Sequence, residues 1–105
     1  MTSQQTVDHY SQDYLTYREI MADLLNPIVP DQLDPDTLIR LTRSKLVYLE
    51  NLRVKCFREI NGNQPSGFTS IDYQLIIEAI RRSETHMRIA VKAAIKLNLS
   101  RRKAS

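Results

Sequence analysis

Residues 34–62, DPDTLIRLTRSKLVYLENLRVKCFREING, decide the fold. Asp34 has the side chain of an N-cap. Pro35 takes the first helical position, where its missing N–H costs nothing, and Asp36 complements the positive end of the helix dipole. Leu38, Leu41, Leu46, Leu49, Leu52, Cys56, Phe57 and Ile60 then recur as one broad apolar face of a helix over about 35–61. Asn61-Gly62 reads as a left-handed C-cap, and Pro65 in the following loop prevents continuation. Such a helix is about 40 Å long at 1.5 Å per residue.

Working outward, Pro27 and Pro30 interrupt the chain before this helix, since each lacks an amide donor and restricts its predecessor. Ahead of them Val7, Tyr10, Tyr14, Tyr17, Met21 and Leu24 step by three and four, predicting a helix over about 6–25 with a heptad-like seam. On the other side, Thr69 is an N-cap with Asp72 at its N3 position, and Phe68 and Tyr73 are spaced as a hydrophobic staple. Tyr73, Ile76, Ile77, Ile80, Met87, Val91, Ala94 and Leu97 line one face of a third helix over about 70–99. The basic tail at 100–105 is too polar to pack and is expected to fray. Connections of this length imply antiparallel neighbours. The expectation is one all-α domain over 1–105, an up-down-up bundle of three long helices, with oligomerisation as one way to complete its core.

Composition supports this reading. Two glycines, 42% apolar and 26% charged residues describe a globular helical chain rather than a disordered one. A single cysteine, Cys56, excludes an internal disulfide framework. No signal-like segment and no run of about 18 apolar residues occurs, so the expectation is an intracellular, cytoplasmic protein with no membrane association.

The charge is divided. Residues 1–36 carry seven acids against one base, a net of −6, whereas residues 37–105 carry fourteen bases against five acids, a net of +9. A basic body attracts polyanions, and an acidic first third either covers that body or meets a different protein. At 100° per residue Arg81, Arg88, Lys92 and Lys96 share one outer arc of the third helix, and Lys103 extends it if the helix continues. Arg40, Lys55 and Arg58 share the outer face of the second helix, and Arg101, Arg102 and Lys103 form a basic arm. These cations, Lys55 aside, are the candidate nucleic-acid contacts, acting on phosphate rather than on base edges. The helices are too long and their connections too extended for a helix-turn-helix, so neither base reading nor a choice between RNA and DNA follows.

Tyr10, Tyr14, Tyr17, Val47 and Val54 are candidate contacts for a larger protein partner or a second copy. The three tyrosines lie on the core seam with acids on the opposite flank, which favours packing over base stacking. His9 and His86 have no ligand-spaced neighbours, so no metal site is expected. Gly62 to Gly67 lacks the Lys-Ser/Thr ending of a phosphate-binding loop. No catalytic residue and no cofactor is assigned. The leading expectation is a non-catalytic accessory subunit that touches nucleic-acid backbone within a larger nucleoprotein complex. Its rival is a protein-interaction or oligomerisation module with an acidic first helix and no nucleic-acid contact.

Overall fold

A computed structural model of the protein describes residues 10–26 and 34–104. They form three helices, α1 (Gln12–Leu25), α2 (Pro35–Ile60) and α3 (Ser70–Ala104), and among the described residues there is no strand.

The second helix starts as its sequence dictates, with the Asp34 carboxylate accepting from the Thr37 N–H at 3.1 Å. Hydrogen bonding to the Thr37 side chain, and then to its backbone, holds the Asp34 carboxyl below its usual pKa. At the start of α3 the Thr69 hydroxyl accepts from the Asp72 N–H at 3.3 Å, while the Asp72 carboxylate accepts from the Thr69 N–H at 2.9 Å. That is a capping box with Asp in the Glu position.

Other local expectations fail for identifiable reasons. The expected start of the first helix near Thr6 falls outside the described residues, and Tyr10 and Ser11 are not helical. Among the described residues this helix starts at Gln12, because the Ser11 hydroxyl accepts from the Tyr14 N–H and the Ser11 N–H donates to the Ser66 carbonyl at 2.8 Å. Thr6, Val7 and His9 lie outside the described residues. The positive φ expected near Asn61-Gly62 falls instead at Gly67, with φ 101°. The Asn61 side chain caps α2 by donating to the Phe57 carbonyl at 2.9 Å. Phe68 and Tyr73 each take an aromatic partner on another helix. Phe68 packs on Tyr14 and Tyr17, with ring centroids 5.3 Å from each, and Tyr73 sits 5.9 Å from Phe57. Finally, α3 does not fray at 100 but runs to Ala104, since no Gly or Pro follows Gly67 and its last turns are rich in good helix formers.

The three helices run up-down-up. Phe57 meets Tyr73, so α2 and α3 are antiparallel about the loop at 61–69. Lys55 meets Asp13 and Lys45 meets the end of α1, so α1 opposes α2. Tyr17 bonds Asp72 and Arg82 bonds Leu25, so α1 follows α3. The α2–α3 pairing is the dominant interface. With 14 residues against the 26 of α2, α1 covers only the stretch near 45–55 on α2 and 72–82 on α3. Tyr17, Leu24, Leu49, Leu52, Cys56, Phe68, Ile76, Ala79 and Ile80 form the buried core there. Beyond it two helices continue unaided, and the radius of gyration, 18.3 Å, exceeds the roughly 13 Å of a compact domain of this size.

The packing around Gly67 yields a sharp test. A Cβ at this position would lie 2.5 Å from the Tyr14 Cδ2 and would need the backbone at φ 101°. Gly67→Ala is therefore expected to lose roughly 2–5 kcal/mol, from backbone strain and overpacking together. Gly62→Ala, at an ordinary φ with a nearest contact of 3.2 Å, should lose under about 1 kcal/mol. Urea denaturation of the two variants distinguishes them, and equal losses would remove the aromatic junction as the cause.

Alkaline stability gives a second test. Burial pushes the Cys56 thiol up from 9.0 to about 11, and burial beside Asp72 also raises the Tyr17 phenol above its ordinary 10.0. Above about pH 9 the unfolded chain gives up these protons before the folded one does, so the folded state holds more protons and stability falls as pH rises. The urea midpoint should decline between pH 9 and 11, and Tyr17→Phe should flatten the upper part of that decline. A midpoint constant across the range would show that neither group is held neutral by the fold.

Candidate functional site

The cations of the two long helices divide by what they touch. Lys45, Arg82, Lys55 and Arg53 are engaged within the fold. Lys45 donates to the Asp23 carbonyl at 3.1 Å and to that of Asn26, and Arg82 Nη2 donates to the Leu25 carbonyl at 3.1 Å. The last turn of α1 contains no basic residue of its own, so these two side chains supply the positive charge its C-terminal dipole attracts. Burial and the neighbouring Arg82 lower the pKa of Lys45, against the opposing pull of Asp23. Lys55 pairs with Asp13 at 3.3 Å, which draws it to the α1 side and away from the outer face it was expected to share with Arg40 and Arg58. Arg53 pairs with Glu50 at 3.2 Å, and bonding to Tyr73 and Glu50 raises its pKa further.

The cations opposite the buried seam of α3 face outward. Ile76, Ala79, Ile80, Ser83 and Ala90 of α3 are buried, and Arg81, Arg88, Lys92 and Lys96 lie on the far side of the helix from that seam, all exposed. Their steps along the axis are about 10, 6 and 6 Å. Among the described residues none of the four has a carboxylate within 4.0 Å, although Glu78 and Glu84 lie on the same helix. Arg88 is steadied by the Thr85 hydroxyl at 3.2 Å, which in turn donates to the Arg81 carbonyl. The backbone of Lys103 continues the helix and so the line; its side chain lies outside the described residues. Arg101 and Arg102 are exposed on the same helix rather than on a loose arm.

Arg40 and Arg58 are exposed on the outer side of α2. The seams of α2 and α3 face each other, so residues opposite each seam point in opposite directions. The structure therefore sets Arg40 and Arg58 on one edge of the hairpin and the α3 stripe on the other. They also lie about 27 Å apart along α2, with Val47 and Val54 between them. The two helices do not merge their cations into one patch.

Of the candidate partner contacts, Tyr17 is buried, and its hydroxyl donates to Asp72 at 3.2 Å. Tyr10 and Tyr14 are half-buried beside Gly67 and Phe68. Val47 and Val54 face outward. The reading of the sequence missed Lys45 and Arg82 as caps. The signal available was negative only, a helix ending at Asn26-Pro27 with no cap of its own.

Among the described residues no group of three or more His, Cys, Asp or Glu side chains is placed to hold a metal, and no helix is long and apolar enough to cross a membrane. Cys56 is fully buried with its thiol held protonated, unsuited to a nucleophile. Comparison with models of known families, with curated proteins and with solved structures finds no match to this chain.

The capping cations provide a test that separates structure from surface. Lys45→Met and Arg82→Met are each expected to lose about 1–2 kcal/mol, less than additively in the double variant because both serve one helix end. Retention on a heparin column should stay close to that of the unaltered protein for both. A large loss of retention with unchanged stability would move these residues into the outward-facing set.

Proposed function

We propose that the protein is a non-catalytic helical accessory subunit that holds nucleic-acid backbone along the outer face of α3. The observation that carries this reading is the contrast between engaged and unengaged cations. Lys45, Arg53, Lys55 and Arg82 all have partners inside the fold, whereas Arg81, Arg88, Lys92 and Lys96 form a row that no acid neutralises among the described residues. Surface charge left unpaired and aligned over four turns favours a linear polyanion, because each side chain reaches a separate phosphate. Sequence selection then belongs to a larger protein partner within a nucleoprotein complex, in an intracellular setting. The α2 cations Arg40 and Arg58 sit on the opposite edge and take no part in the same strand's path. The rival reading, a protein-interaction module, draws on the outward Val47 and Val54 and on the acids of α1.

Full engagement of the four α3 cations gives a log–log salt slope of about −2.8 on single strands and about −3.6 on duplex, from counterion release. Arg88→Glu with Lys92→Glu should weaken binding uniformly across sequences and flatten that slope while the circular-dichroism spectrum stays helical. Arg40→Glu with Arg58→Glu should leave the slope within about one unit of its original value. Electrophoretic shifts at several salt concentrations read all three. No binding by the unaltered protein at low salt, or unchanged binding by the folded Arg88/Lys92 variant, rejects the proposal in favour of the protein-interaction reading.

A further inference from the structure

The α2–α3 hairpin is a layer two helices thick, and α1 lies on one side of it only. The reverse side carries Phe57, Val91 and Ile95 at 56%, 39% and 53% exposure, with Tyr73 against Phe57. Helical periodicity puts these residues on the side away from α1, since the groups that meet α1 (Lys45, Leu52 and Lys55 on α2, Ala79 and Arg82 on α3) fall on the other flank of each seam. Amphipathic helices with one buried flank and a second apolar flank want a further layer.

We infer that this reverse face pairs with the same face of a second copy, in antiparallel register, to close a four-helix core. Charge favours self-pairing. Arg40, Arg58, Lys92 and Lys96 stand on the outer edges, whereas Arg81 and Arg88 border the face beside Ile95. The face and its border carry Arg43, Arg53 and Arg88 together with Glu50 and Glu84, so both signs are present, with Arg53 and Glu50 already joined. A surface that docks on itself around a twofold axis must hold both signs.

The positions of the apolar groups set the register. Phe57 and Tyr73 lie at the loop end of the layer, whereas Val91 and Ile95 lie at the other end, beside the start of α2. A twofold axis crossing the face near Leu46 and Val47 lays each aromatic end on the aliphatic end of the other copy. The same axis brings Arg43 opposite Glu50 of the second copy, twice. The face spans about 20 residues of each helix, about 30 Å by about 20 Å, or about 600 Å² in flat outline. With side-chain relief this approaches the roughly 800 Å² per partner of a standard interface. The pairing and phosphate binding meet only at the border held by Arg81 and Arg88, since Lys92 and Lys96 lie on the edge of the hairpin.

Sedimentation equilibrium on the full chain between about 1 and 200 µM tests it. The expected species at the upper end is a dimer, twice the 12.2 kDa of one chain. Phe57→Glu and Arg43→Glu should each raise the dissociation constant about tenfold or more while the helical spectrum is retained. Arg43→Glu combined with Glu50→Arg should restore it to within about threefold, because the swapped pair meets across the axis. A species that stays at monomer mass throughout, or one that grows past the dimer with concentration, overturns the proposal. A double variant no tighter than Arg43→Glu alone overturns the antiparallel register.

Discussion

One carboxylate, that of Asp72, is held by two parts of the chain at once. Its Oδ2 accepts from the Thr69 N–H and hydroxyl at 2.9 and 3.0 Å and so closes the first turn of α3; its Oδ1 accepts from the buried Tyr17 phenol at 3.2 Å and so anchors the middle of α1. Phe68, one residue before the cap, fills the space between Tyr14 and Tyr17. Gly67 lets the loop pass beneath those rings, and Ser66 hands its carbonyl to the first amide of the turn that begins α1. Local capping and tertiary packing are thus the same set of contacts. Loosening that corner would free α1 from the hairpin and remove the cover from Leu49, Cys56 and Ile76.

From that corner the allocation of charge follows. Because α1 lies alongside α3 and against α2, its C-terminal carbonyls come within reach of Lys45 and Arg82, and its first turn brings Asp13 to Lys55. The acidic third of the sequence therefore neutralises part of the basic body, on one flank of the hairpin. Among the described residues no acid of that third pairs with a cation on the outer edge of α3. Surface cations in excess of their partners are normally solvated at little benefit to stability, and the row on that edge has no acid among the described residues to neutralise it. Polyanion binding along that edge is the proposal that uses it.

The elements whose instructions are local were legible in the sequence. Asp34-Pro35, Thr69 with Asp72, and the apolar steps at Leu49, Leu52, Ile76 and Ile80 fix two helices by capping and periodicity alone. The start of α1 was not legible, because Ser11 becomes a cap only once the Ser66 carbonyl is there to bind its amide. Nor was the position of the positive-φ glycine, since Gly62 and Gly67 are equally free to adopt it and only packing under Tyr14 chooses. Among candidate site residues, the arc of Arg81, Arg88, Lys92 and Lys96 follows from helical geometry. The divergence of Arg40 and Arg58 from that arc required knowing which faces of α2 and α3 meet.

The unequal lengths of the helices have a mechanical consequence. From Ile95 to Arg102 every residue of α3 is exposed, while the turns around Ala79 and Ser83 are clamped on two sides. A helix bends most cheaply where no neighbour resists the small lengthening of its carbonyl bonds. Stiffness along α3 therefore falls from the corner outward, and the row of cations crosses that gradient. Arg81 and Arg88 stand on the stiff half, where their spacing is fixed in advance. Lys96 and the turns after it stand on the compliant half, whose curvature can adjust to a surface already held by the first.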